Sequence, residues 1–360
     1  MPEPTIPESF VRLTELDAAW AEPTPGVRLA AIRRAARALH DRIAAAGAAV
    51  CVRTADMGTA PYPVRFGLEG AARSPLGFLF IRNRMQLVQI EHAGRVTNVL
   101  VNPTDAARVV HTPYFARLMA RFGPLGPVFA RSSIHGTPAD ALASWGVSPA
   151  DIDYVTFDHM HTQDVRGLLA PGGVLPRARL IIQRAELDTF RDMHPHQRDW
   201  YQPDGLDGVA PDRIVVVDGD YSLGPGLAIV RTPGHTRGNH SPVVVTDRGL
   251  WTISENGVCV DAYAPGSSAI RGLRAHARST GVEVILNSNT RENSLDQYTS
   301  MVLEKTLADP STERPEFPQH FCSSELVRHP LAPGLAPTFS HRAITHGQVR
   351  TATAASSHAA

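Results

Sequence analysis

Two histidines one residue apart, His159 and His161, and a third, His235, are the side chains of this 360-residue chain whose types and spacing most directly imply chemistry. Side chains alternate along an extended backbone, so His159 and His161 project to one side and can reach a single cation. His235 stands in Thr232-Pro233-Gly234-His235-Thr236-Arg237-Gly238, where Pro and Gly force a tight turn that presents the imidazole. Three neutral imidazoles with a fourth position open to water are what a catalytic zinc-type site needs. A cation so held would draw the pKa of its water toward neutrality and polarise a carbonyl or phosphoryl oxygen, which makes hydrolysis the expected chemistry. Taken alone, a His-x-His in a chain with 16 histidines reads as readily as exposed or hydrogen-bonded imidazoles. His194 and His196, interrupted by Pro195, are expected to be such surface histidines.

The elements that must position these residues are legible around them. Asp151 to Val155 reads as a short strand running into the loop of His159 and His161, and Leu227 to Val230 as a strand before His235. Together the two segments resemble the metallo-β-lactamase fold superfamily, whose marks are Thr-His-x-His-x-Asp-His after a strand and Thr-Pro-Gly-His-Thr-x-Gly later. The lead-in Trp145 to Asp153, the pair Ala185-Glu186, Ser254-Glu255-Asn256-Gly257 after Leu250 to Ile253, and Leu286-Asn287-Ser288-Asn289 after the strand-like Val282 to Ile285 extend the resemblance. It covers roughly residues 48–305. The resemblance implies a four-layer αββα sandwich of the α/β class, with the metal at one edge between the sheets, and the layout is most similar to the lactonase-like branch.

The departures from the family pattern fall on one side of the implied site. Gln163 replaces the usual aspartate and Asp164 the following histidine. Asn256, or Glu255 if the register slips by one, stands for the bridging aspartate, and Asn289 for the last histidine. All of these are second-metal positions, whereas the first site keeps its three histidines. Neutral Gln and Asn carbonyls are poor ligands for a borderline-soft divalent cation. The expectation is one divalent metal, zinc in first place with iron or manganese as alternatives, and a degenerate second site. Asp164 is expected to be a fourth ligand, a general base or an anchor for an imidazole, its ordinary alternative being a first-turn helix carboxylate. Glu255 is the next candidate for the base, and Asp158, alternating away from His159, is expected to serve structure.

Composition agrees with an enzyme acting on small molecules. With 43% hydrophobic and 19% charged residues the chain can bury a large core. Formal net charge is zero, so neither nucleic acid nor an anionic membrane is an expected partner. Cys51, Cys259 and Cys322 are too few and scattered for a disulfide framework, and with no signal-like or membrane-spanning apolar run a cytoplasmic location is expected.

Val27 to Ala46 has helical apolar spacing; Ala49 to Thr54, Gly77 to Arg82, Gln86 to His92 and Val96 to Val101 read as strands, and Ala106 to Phe122 as a helix. His111 to Phe129 is either a lid or pocket wall, or an ordinary core helix and loop. Met193 to Tyr201 is a second candidate wall. The expected organisation is an extension at 1–47, the sandwich at 48–305, a Pro-rich extension at 306–350 forming a wrap, a dimerisation arm or a linker, and a disordered tail at 351–360.

The functional expectation is a mononuclear metal-dependent hydrolase that uses a metal-bound hydroxide on a small carboxylic ester or lactone. A mononuclear iron redox or oxygen enzyme, with Asp164 completing the ligand set, and a non-catalytic binding descendant are the alternatives. A small-molecule substrate and a homodimer are the expected partners.

Overall fold

The computed structural model describes residues 6–121, 123–126, 133–289 and 293–351. In chain order its strands are β1 (Val11–Leu13), β2 (Cys51–Pro63), β3 (Phe78–His92), β4 (Arg95–Val101), β5 (Tyr154–Thr156), β6 (Arg179–Gln183) and β7 (Ile214–Val217). They continue with β8 (Asp220–Gly224), β9 (Leu227–Arg231), β10 (His240–Thr246), β11 (Gly249–Ser254), β12 (His320–Cys322), β13 (Ser324–Leu326) and β14 (His346–Gly347). One sheet has the order β1-β8-β9-β10-β11-β12; the other runs β14-β2-β3-β4-β5-β6-β7, with β13 added alongside β3. The meander β2-β3-β4 is antiparallel, and β4 to β7 are parallel, each reached through a helical crossover.

Both sheets are covered on both faces, so strands such as β6, β7 and β9 are nearly continuous apolar runs. Leu227 and Ile229 of β9 enter the core between the sheets with Val88, Val99, Ile181 and Val215, while Ala228 and Val230 face the other way. On that outer face lies the helix Pro25–Ala45, whose buried Ile32, Ala36, Leu39 and Ile43 are spaced for one helical stripe. Burying each of the larger of these side chains stabilises the layer by about 1.5–3 kcal/mol. The opposite outer face, with Leu87, Leu100, Val155, Leu180 and Val216, packs against Leu142, Leu168 and Leu169 of intervening helices. The layers are thus helix, sheet, sheet, helix, as expected.

Several elements differ from the sequence expectation for physical reasons. Gly77 to Arg82 and Gln86 to His92 are parts of one strand, β3, running through the polar Arg82-Asn83-Arg84. The polar run is tolerated because Arg82 pairs with Asp56 on β2 and Arg84 with Glu325 on β13. Ala106 to Phe122 breaks into Ala106–Val109 and Pro113–Ala120, because Pro113 lacks a donor and holds Thr112 extended. The first short strand is Tyr154–Thr156, preceded by a 3-10 turn at Pro149–Asp151. Val282 to Ile285 forms no strand; Ile285 N–H donates to the Ala262 carbonyl instead.

The Pro-rich stretch after residue 305 supplies β12, β13 and β14, placing short strands in both sheets, too brief to show periodicity. Residues 352–360, expected to be a disordered tail, and Phe122 and Phe129 of the expected lid lie outside the described residues. Among the described residues no helix is long and apolar enough to cross a membrane.

The Arg84–Glu325 pair fastens β13, and both side chains are almost wholly buried. Glu325→Ala is expected to lower the unfolding free energy by about 3 kcal/mol, since it leaves a buried guanidinium without its carboxylate. Chemical denaturation would read this as a lower midpoint at unchanged slope; an unchanged midpoint would show that the segment adds nothing to stability.

Candidate metal centre

The first loop leaves β5 at Phe157. Asp158 is fixed there from several sides: its N–H donates to Asn102 Oδ1 at 2.9 Å, its carbonyl accepts from His240 N–H at 2.9 Å, and its Oδ2 accepts from Ser323 Oγ at 2.7 Å. Asp158 Oδ1 lies 3.0 Å from His159 Nδ1, so the ring donates there and turns Nε2 toward the site. Asp158 was expected to alternate away; the backbone bends after β5, and the carboxylate orients its neighbour's ring instead. The loop ends at Thr162, with φ of 59°, in the left-handed region.

The second loop joins β9 to β10. Gly234 adopts φ of 133°, and a Cβ there would overlap the backbone of Gln297, so glycine is required. A Cβ on Gly238 would likewise strike the backbone of Glu186. His235 Nδ1 donates to the Asn287 carbonyl at 3.1 Å, which also accepts from Gln297 Nε2 at 2.7 Å. The two loops are thereby brought together as the motifs imply. His159, His161 and His235 are all buried, their ring centroids lie 4.7–5.0 Å apart, and one nitrogen from each falls within 4.8 Å of the others.

The donors fit a metal. Burial holds the His161 and His235 pKa values down, the latter to about 3, which favours the neutral rings that a metal would need. Neither nitrogen of His161 has a hydrogen-bond partner among the described residues, which a ligand to a cation would not need. Burial disfavours the charged form of His159 too, but the Asp158 carboxylate outweighs it and raises that pKa to about 9. A cation would displace that proton, and Asp158 would then make the neutral ring a stronger donor.

The remaining sequence candidates separate into two groups. Glu255, Gln163 and Asn289 line the same cleft as His159 and His161. Glu255 is half-buried at the cleft, and desolvation, then Asp158, push its carboxyl up to about 7 against the opposing pull of His159. Asn256 lies outside that lining: its Nδ2 donates to Glu304 Oε1 at 2.7 Å, so Glu255 is the residue of this pair that faces the cleft. Asp164 is likewise not part of the histidine group. Its carboxylate accepts from Arg166 Nε at 2.8 Å and Nη2 at 2.7 Å, and from Arg108 Nη1 at 3.2 Å. The expectation that Asp164 is ligand or base is corrected on that ground: two guanidinium groups occupy it. His194 and His196 are exposed, as expected.

The cleft, about 910 Å³ and open to solvent, has apolar walls from Val109, Val110, Tyr114, Phe115 and Met119, so the stretch after His111 is a pocket wall. Trp200 joins it, stacked on Tyr114 with centroids 4.4 Å apart. Ser324, Asn83 and Thr104 also reach the cleft. Nothing local in the sequence marks them, because they arrive from β13, from the middle of β3 and from the turn after β4.

No family model matches the chain. It is 24% identical over 123 residues to an N-acyl homoserine lactonase of a Bacillus species, a stretch that is 34% of this chain and 45% of that protein. A lactonase of Bacillus cereus is 26% identical over 103 residues, 29% of this chain and 37% of the relative. The chain thus spans less than half the length of the curated relatives it matches. Similar solved structures include a dizinc quorum-quenching lactonase, TM-score 0.48 and 13% identity, over 83% of this chain and 95% of that one. Another is a hydrolase of the β-lactamase superfamily, TM-score 0.46 and 13% identity, over 85% and 99%. The homologues are lactonases, and the structural neighbours are lactonases and hydrolases of the superfamily whose motifs the sequence resembles.

Alanine at His159, His161 or His235 is expected to remove most bound metal, measured by elemental analysis after gel filtration; wild-type stoichiometry in any of the three would reject the shared centre. Asp164→Asn is expected to keep the metal and to cost about 1–3 kcal/mol of stability through its weakened guanidinium pairs. Metal loss in that variant would return Asp164 to the ligand set.

Proposed function

We propose that the chain is a one-metal hydrolase that opens a lactone or cleaves a small carboxylic ester carrying an apolar group. The observation that carries this reading is the cluster of three buried imidazoles, two of which, His159 and His161, line an apolar-walled cleft where Glu255 is the one carboxylate among the described residues. Similarity to N-acyl homoserine lactonases supports lactone as the bond type. Zinc suits three imidazoles, and held there it would supply Lewis acidity and a more acidic water.

The chain's own residues do the rest. His159, oriented by Asp158, and His235, oriented by Asn287, would hold the cation with His161. Glu255 would take the proton of the attacking water and return it to the leaving oxygen. Valine, tyrosine, phenylalanine and methionine side chains on the wall would cover the apolar part of the substrate and exclude water from the reacting carbonyl. The iron redox alternative loses its fourth ligand with Asp164, and no observation favours it.

The test is release of acid from N-hexanoyl-L-homoserine lactone, followed by pH-stat. Activity is expected with about one zinc per chain, lost on chelation and restored by zinc; two metals per active chain would reject the one-metal reading, and no ring opening with metal bound would reject lactonase activity. Glu255→Gln is expected to lower kcat by about 100-fold or more with metal retained. The ionised carboxylate is the active form, so kcat/KM should fall as pH drops, and a bound cation places that limb at or below about 7. A profile unchanged by the substitution would remove Glu255 from proton transfer.

A further inference from the structure

Three polar atoms around the cleft are left over when the proposed roles are assigned. Asn83 Oδ1, Thr104 Oγ1 and Asn289 Oδ1 are buried without a hydrogen-bond partner among the described residues, and all three side chains line this one cleft. An unsatisfied buried polar group costs about 1–3 kcal/mol, and native structures hold few of them. Their convergence on one cleft points to a polar ligand group. Gln163 adds a second carboxamide to the same lining and is 8% exposed, as Asn289 is.

We propose that Gln163 and Asn289 form a neutral hydrogen-bonding subsite for the leaving oxygen of the substrate, in the half of the site where the family resemblance implies a second cation. The inference rests on the hydrolase reading above. Ester or lactone cleavage adds a water-derived oxygen to the acyl carbon and breaks the acyl carbon–alkoxy oxygen bond. The bonding pair stays on the alkoxy oxygen, which takes one proton, so that water is consumed and an acid and an alcohol are formed. Charge develops on that oxygen before its proton arrives. Carboxamide N–H groups aimed at it would stabilise that charge without the compensating carboxylates that a second cation requires. Either end of a carboxamide can face the cleft after a half-turn of its terminal bond, so Gln163 and Asn289 can each present N–H. Asn83 and Thr104 lie along the same wall and would receive other polar atoms of the same substrate.

The subsite makes the leaving group the quantity to vary. Wild type, Gln163→Leu and Asn289→Ala are compared on an alkyl lactone, whose leaving alkoxide needs stabilising, and on p-nitrophenyl acetate, whose phenolate is already stable. Each variant is expected to lose about 10- to 100-fold in kcat/KM on the lactone, at least fivefold more than on the aryl ester, with metal content and melting temperature near wild type. Asn289→Ser, which keeps a short donor, should recover part of the loss. Equal losses on the two substrates would overturn the subsite, and loss of bound metal in either variant would make that residue a ligand and overturn it as well. Turnover of neither ester by metal-loaded wild type would instead overturn the hydrolase reading, so the two failures are told apart.

Discussion

The carboxylate of Glu186 holds the two histidine loops to each other, and the geometry of the histidine cluster depends on it. One oxygen accepts from Met160 N–H at 2.8 Å and from the Tyr201 hydroxyl at 2.9 Å. The other accepts from Thr236 Oγ1 at 2.7 Å and Gly238 N–H at 3.2 Å. Met160 lies between His159 and His161, and Thr236 follows His235, so a single side chain ties together the loops that carry the three imidazoles. A buried charge is costly, but four donors satisfy this one, and its place in the first turn of the helix Arg184–Arg191 adds the favourable end of the helix dipole. The glycine at 238 follows from the same contact, since a larger residue would push the second loop off Glu186.

Glu304 plays the corresponding part behind the second loop. It accepts from Ser241, Ser254 and Asn256 on one oxygen and from the Tyr263 hydroxyl on the other, each at 2.7 Å. This network draws the Asn256 side chain away from the cleft. Neighbouring side chains leave the backbone on different sides, so drawing Asn256 inward leaves Glu255 facing the histidines. The register of one residue on which the identity of the cleft's carboxylate turns is therefore set by a buried glutamate almost fifty positions later in the chain.

The parts of the fold and site that could be read in advance are those encoded locally. Helical spacing marked Val27 to Ala46, within two residues of the helix Pro25–Ala45, apolar runs such as Leu227 to Val230 marked strands, and Pro-Gly-His marked a turn whose glycine the structure requires. What could not be read depends on partners distant in sequence. Arg82-Asn83-Arg84 looked like a strand break because its counter-charges sit on Asp56 and Glu325. Asp164 looked like a ligand because the residue that claims its second oxygen, Arg108, lies on another helix. Ser324 reaches the cleft on β13, paired opposite Asn83 of β3, and two- or three-residue strands among prolines carry no period to detect.

Asp164, at a position where the family resemblance implies a metal ligand, has a structural use here. Arg166 joins it to Asp204, and Arg108 joins it to Asp105 at the start of the short helix that leads into Val109 and Val110. Exposed ion pairs stabilise little one at a time, but Asp164 is nearly buried, and its pairs share a network. The network links the loop of His159 and His161 to the apolar wall above it. A second cation could recruit Asp164 only by displacing two guanidinium groups and loosening that wall. Replacing Gln163 and Asn289 by metal-binding residues would therefore not be sufficient to rebuild a two-metal site: Asp164, which stands where the resemblance implies a histidine, is already committed to holding the pocket's wall in place.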